Sequence, residues 1–207
     1  MITVQDLIDF ETDIGNTFNR GEIRAPIHLY SGNEEQIMRV FEKINTEKDW
    51  VCCTWRNHYQ ALLKGIPRDL LRERITAGKS MVMNLPEYKF ICSSIVGGIP
   101  SIATGIALAA KLKGTDEHVW CWTGDMSSET GAWSEAYRYS VAQDLPITFV
   151  VEDNELSVST PTHEMWGSKK WYLTGLVEDY YESRHLIYYK YHNNKYPHSG
   201  AGVRVQF

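Results

Sequence analysis

The chain has 207 residues, 43% of them hydrophobic and 23% charged, with a formal net charge of −5; this suits one large domain with a buried core and excludes disordered and fibrous classes. An acidic balance offers no broad positive field, so neither nucleic acid nor an anionic membrane surface is an expected partner. The longest apolar run, 99–112, is interrupted by Ser101 and Thr104 and falls short of the roughly 20 residues a bilayer span needs, and the first residues lack the basic start and apolar core of a secretory signal.

In chain order, residues 3–18 carry apolar side chains at helical spacing, and Asn19-Arg20-Gly21 supplies a stop. Residues 31–34 offer capping chemistry to a second helix whose apolar face is Ile37, Val40, Phe41 and Ile44. The run WVCCTW at 50–55 has no polar alternation, as expected of a strand buried on both faces of a parallel sheet. Pro67 then suits the first turn of a helix ending at Gly78, and 79–94 reads as an ordered but irregular loop. The small, apolar stretch 97–114 predicts a deeply buried helix. Strand 119–125, helix 129–143 and strand 146–154 make a β-α-β unit, and a last strand at 185–192 runs into a Gly- and Pro-containing tail.

The expected architecture is therefore one α/β domain of three layers, a mainly parallel sheet with helices on both faces. It covers 1–207, with an N-terminal helical segment to about residue 48 and an irregular tail from about 190. Cys52, Cys53, Cys92 and Cys121 form no C-x-x-C pair and read as small core residues, which fits a reducing cytoplasm. Tyr180, Tyr181, Tyr188, Tyr189 and Tyr191, with Trp166 and Trp171, make the last third aromatic, as core and subunit contacts would.

The chemistry-bearing residues stand at strand ends. Gly124-Asp125 closes one strand, and Glu152-Asp153-Asn154 closes its parallel neighbour. In open α/β sheets the crevice beyond the carboxyl ends of the strands is the usual ligand site. A carboxylate, an amide oxygen and a backbone carbonyl are hard donors suited to Mg²⁺, which keeps phosphate and water as its remaining ligands. Alone, Asp125 would be read as a helix cap and Asn154 as a turn former; their spacing favours a metal–diphosphate site.

The segment GDMSSETGAWSEAYRYSVAQDLPITFVVEDN, 124–154, resembles the thiamine diphosphate (ThDP) motif, which opens with Gly-Asp-Gly and closes with Asn-Asn. HLYSGNEEQ at 28–36, TWRNHYQALLKGI at 54–66 and IVGGIPSIATGIALA at 95–109 are similar to segments of the α subunit of the decarboxylating component of 2-oxo acid dehydrogenases, in the same order. The resemblance covers roughly residues 20–160. It implies Mg²⁺ bound by the side chains of Asp125 and Asn154 and by the carbonyl of Leu156. Gly124, Met126 and Ser127 would lie at the phosphates, and Arg56, in the place of the arginine of a Tyr-Arg pair, would grip the diphosphate with its planar fork. Trp55 takes the tyrosine's place. Ser94, Ile95 and Val96 fall where the aminopyrimidine is held by backbone groups. His58 matches one substrate-side histidine, and the second is His198 or His192, an alternative the sequence leaves open. His28, His118, His163 and His185 read as structural or solvated.

The resemblance further implies oxidative decarboxylation of a 2-oxo acid, with the cofactor as electron sink. A β-type partner subunit would bring the pyrimidine-binding domain and the activating glutamate, in a heterotetramer that serves an acyltransferase core. Met126 in place of glycine, Asp153 in place of the first closing asparagine and a shortened stretch after Asn154 depart from the pattern. They keep two rivals in view: a split transketolase-type enzyme, and a noncatalytic subunit with an assembly role.

Overall fold

A computed structural model describes residues 2–166, 179–193 and 195–202. Helix α1, Val4–Asn19, begins in a reciprocal capping box: Thr3 Oγ1 accepts the Asp6 amide at 3.2 Å, and the Asp6 carboxylate accepts the Thr3 amide at 2.8 Å. Its Leu7, Phe10, Ile14 and Phe18 recur at helical spacing and are all buried. Helix α2, Glu34–Phe41, buries Ile37, Val40 and Phe41 as expected, but its capping differs. Asn33 makes no side-chain cap; the Glu34 carboxylate instead accepts the Gly32 amide at 3.0 Å.

Strand β1 is Trp50–Cys53, followed by α3, His58–Leu63, and by α4, Arg68–Thr76, which starts directly after Pro67. The region read as irregular holds an antiparallel pair, β2 (Asn84–Leu85) and β3 (Phe90–Cys92), beside short 3₁₀ turns. Next come α5 (Gly98–Lys113), β4 (Val119–Gly124), α6 (Asp125–Ser128), α7 (Gly131–Ala142) and β5 (Ile147–Asp153). The hairpin β6 (Leu156–Ser157) and β7 (Thr160–Pro161) precedes α8 (Thr162–Trp166), and β8 (Tyr180–Glu182) and β9 (Leu186–Lys190) close the series. Trp171 and residues 203–207 lie outside the described residues, as does the side chain of Trp166.

The chain forms two compact units, residues 1–47, 55–94 and 192–207 in one and 48–54 with 95–191 in the other. In the first, α1 packs on α2 and α3, and α3 on α4. Tyr30 stacks on Tyr59 with centroids 4.9 Å apart, and the tail docks where the Gly200 amide donates to the Ile27 carbonyl at 2.9 Å.

In the second unit the strands run β1-β4-β5-β9-β8. The first three neighbouring pairs are parallel, and β8 adds an antiparallel edge to β9. Every residue of β5 is buried and so is nearly all of β4, so both faces are covered, which explains the unbroken apolar runs. Helix α5 packs on α7 and β4. Trp133 of α7 is fully buried, stacks on Tyr137 at 5.0 Å and gives its indole N–H to Thr123 Oγ1 at 3.1 Å, so the ring buries its area without stranding its donor. This is the mainly parallel α/β sheet read from the sequence. All four cysteines are buried and free, and no helix among the described residues is long and apolar enough to cross a membrane.

Candidate functional site

In the second unit, parallel register brings the strand-end residues together. Gly124 pairs with Glu152, so the residues that follow each strand leave the sheet side by side. Asp125 opens α6 at 3% exposure, and its carbonyl accepts the Ser128 hydroxyl at 2.6 Å, which tightens the turn. Thr130 donates to the Ser127 carbonyl at 2.7 Å and caps α7 by accepting the Trp133 amide, fixing Ser127 and Met126 between two short helical starts. The Asp125 and Asp153 carboxyl groups come within hydrogen-bonding reach of each other. Burial first, and then the neighbouring Asp153 charge, pushes Asp125 well above the usual carboxylate range.

Asp153 is held from two sides. Its Oδ1 accepts the Glu155 amide at 2.8 Å, and its Oδ2 accepts the Tyr188 hydroxyl from β9. Beside it, Glu152 Oε1 accepts the Tyr189 hydroxyl at 2.5 Å. Asn154 is half-buried, and its Oδ1 accepts the Leu156 amide at 3.2 Å in a turn that carries on into β6, which packs beside α6. Glu155 and Val158 bend this loop with φ of 59° and 58°.

Asp125, Asp153 and Asn154 bring oxygen donors of the class that suits a hard divalent cation to neighbouring strand ends. Asp125 Oδ2 is buried and has no hydrogen-bond partner among the described residues, although a buried carboxylate oxygen left in that state is costly. A cation beside it would satisfy that oxygen and relieve the repulsion from Asp153. Ile95 and Val96 are 69% and 59% exposed just before α5, where Gly97 takes φ 71°. Ser94 is half-buried.

The first unit gathers the other predicted residues. Because the tail bridges to the chain at His28 and Gly200, His198 is brought edge-on to His28, with centroids 4.8 Å apart, and Trp55 lies 5.8 Å from His28. Arg56 Nη2 donates to the His198 carbonyl at 3.4 Å and its guanidinium sits 5.8 Å above the Tyr30 ring. Burial above all, and next the His198 and Arg56 charges, push His28 down to about 3. His198 is lowered by burial and by Arg56. His192 stays exposed. His58 is wholly buried: Nδ1 meets Glu11 Oε2 at 2.9 Å and Nε2 meets Ser80 Oγ at 2.8 Å, while Glu11 Oε1 accepts the Tyr30 amide.

A model of the dehydrogenase E1 component family matches residues 3–179. The chain belongs to that family. It is 30% identical over 161 residues to the pyruvate dehydrogenase E1 component subunit alpha of Rickettsia bellii, which covers 73% of this chain and 49% of that protein. The corresponding subunit of Porphyra purpurea is 28% identical over 184 residues, 79% of this chain and 53% of that one. The subunit alpha of an acetoin:2,6-dichlorophenolindophenol oxidoreductase from Cupriavidus necator is 28% identical over 162 residues, 73% and 48%. The chain thus spans about half the length of the curated relatives it matches.

Three residues of this E1-family chain were read from the sequence without a site role. Asp153 and Tyr188 meet through the parallel pairing of β5 with β9, which no local pattern encodes. His28 read as structural or solvated, and the structure buries it against His198. The one available signal was its place at the head of the family-like segment 28–36.

Proposed function

We propose that this chain is the ThDP- and Mg²⁺-binding α-type subunit of a 2-oxo acid dehydrogenase-like enzyme, active together with a β-type subunit. The observation that supports it most is the buried Asp125 Oδ2, without a hydrogen-bond partner among the described residues, at the ends of two parallel strands in a chain of the E1 family. Asp125, Asn154 and the Leu156 carbonyl would hold the cation, and the Met126 and Ser127 backbone would lie at the phosphates. ThDP, when bound, supplies the electron sink for loss of CO₂ from a 2-oxo acid.

The remaining roles belong to this chain's own residues. Arg56 offers a guanidinium to phosphate oxygens and is steadied by the His198 carbonyl and the Tyr30 ring. His198, only partly buried, presents an imidazole that burial and the Arg56 charge keep towards its neutral, proton-accepting form, and of the two tail histidines it is the one set beside Arg56 and Trp55. His58 acts by positioning, because both its ring nitrogens are already engaged inside the first unit. The names of the relatives, pyruvate dehydrogenase and acetoin oxidoreductase subunits, support a small 2-oxo acid or a related ketone as substrate class. No glutamate of the chain matches the activating role, which supports the need for a partner.

Calorimetry of ThDP against the chain and its β-type partner, with and without Mg²⁺, tests this reading. Binding should require Mg²⁺ and vanish in Asp125→Asn. A wild-type pair that takes up no ThDP in the presence of Mg²⁺ overturns it, and comparing decarboxylation with ketol transfer by the loaded pair separates the transketolase-type alternative.

A further inference from the structure

Asp153 brings a charge to the sheet edge that the set of Asp125, Asn154 and the Leu156 carbonyl does not use. The register of β4 on β5 puts its carboxyl group beside that of Asp125, with both residues only 3% exposed. Asp153 is also immobilised, because the Glu155 amide holds Oδ1 and the Tyr188 hydroxyl holds Oδ2. A carboxylate has about four acceptor positions on its two oxygens, so Asp153 keeps capacity beyond the Glu155 amide and the Tyr188 hydroxyl, part of it turned to Asp125. The adjacent Asp125 Oδ2 has no hydrogen-bond partner among the described residues.

Two carboxyl groups this close, out of water, either share a proton or need a cation between or beside them before both can ionise. A fold that pins one of them with a tyrosine hydroxyl and a backbone amide, and leaves Oδ2 of the other buried and without a hydrogen-bond partner among the described residues, is shaped for a cation with oxygen ligands. We infer that Asp153 is a second carboxylate of the cation site, so that the chain takes up a divalent cation of the hard-oxygen class before, and without, any diphosphate. This rests on the cation site of the proposed function but needs no thiamine ligand. With only Asp125 charged, the phosphates would have to bring the cation with them; with Asp153 the cation comes first and prepares the ground for an anionic ligand that the two carboxylates would otherwise repel.

The test is a titration of Mn²⁺ into the full chain with no diphosphate present, following the loss of the free-ion paramagnetic resonance signal. Wild type should bind one ion, Asp125→Asn none, and Asp153→Asn at least about tenfold more weakly, the size of loss expected when a metal site's supporting carboxylate goes. Tyr188→Phe, which keeps both carboxyl groups but releases one hold on Asp153, should fall between wild type and Asp153→Asn. Equal affinity of wild type and Asp153→Asn overturns the inference, as does a wild type that binds Mn²⁺ only once diphosphate is added. If circular dichroism shows that Asp153→Asn does not fold, anomalous scattering from Mn²⁺-soaked wild-type crystals decides instead: an Asp153 oxygen among the ion's ligands, at about 2.0–2.6 Å, supports the inference, and an ion held without it overturns it. Mn²⁺ uptake without any later ThDP binding would sink the cofactor reading and leave this one standing; Mg²⁺-dependent ThDP binding without prior uptake would do the reverse.

Discussion

The imidazoles of His28 and His198 meet edge-on at 77°, with centroids 4.8 Å apart, because the C-terminal tail lies alongside the chain at Ile27 and His28. Neither ring is placed to hold a second proton easily. Burial lowers both, and for His28 the drop reaches about 3 from an ordinary 6.5. A histidine whose folded-state value is depressed binds its proton more readily when unfolded, so its contribution is intact above pH 6.5 and is lost as pH falls from there towards 3. One such group gives a slope of about 1.4 kcal/mol per pH unit within that window. Urea midpoints between pH 7.5 and 4.5 should therefore fall more steeply in wild type than in His28→Phe, which keeps an aromatic ring but cannot titrate. Parallel curves would show that His28 is not the group responsible.

Glu11 joins three elements of the first unit, since it accepts the Tyr30 amide and faces His58, which in turn meets Ser80. Glu11→Ala removes the acceptor for two buried groups, at about 1–3 kcal/mol each. Chemical denaturation should show a loss of about 2–5 kcal/mol, and Glu11→Gln, which preserves the shape and one acceptor oxygen, should recover more than half of it. A near-neutral Glu11→Ala would mean that water satisfies these groups and that the buried array contributes little.

The strands that carry Asp125 and Asn154 were legible because a strand covered on both faces needs an unbroken apolar run, and each run here stops at its functional residue. Helix α3 was not, because its NHYQALL follows the apolar run 50–55 after Arg56 alone, without a punctuating Gly or Pro. β2 and β3 are too short, at two and three residues, for period-2 alternation to register. The partners of Asp125, Asp153 and His28 depend on which strand lies beside which and on where the tail returns. Such through-space facts are fixed by tertiary packing, and residue spacing along the chain does not encode them.

Helix α5 presents Ile102, at 42% exposure, and Leu112, at 79%, on a face that also carries Gly105, where an added Cβ would meet nothing within 4 Å. Glycine inside an exposed helix costs about 0.5–1 kcal/mol relative to alanine. Gly105→Ala should therefore raise the stability of the chain alone by about that amount. In the presence of a β-type partner, a much larger Gly105→Trp should weaken co-purification if this face is where the partner sits, with the melting temperature of the isolated chain within a few degrees of wild type. Unchanged co-purification would move the partner to another face.

Val158 occupies the first of the two loop residues between β6 and β7, with φ at 58°. A β-branched side chain in that region is strained, by about 1–3 kcal/mol, and a two-residue hairpin loop with φ above zero there ordinarily takes glycine. Val158→Gly removes the clash, so thermal unfolding should occur at a slightly higher temperature, the gain being of order 1 kcal/mol after the entropy that glycine adds to the unfolded chain. The loop begins at Asn154, whose Oδ1 holds the Leu156 amide, so the same change should loosen the positioning of the Asn154 oxygen and of the Leu156 carbonyl. Divalent-cation affinity should then drop while stability rises. If both rise together, the bend at Val158 is simply a poor turn, and the cation's oxygen donors owe nothing to it.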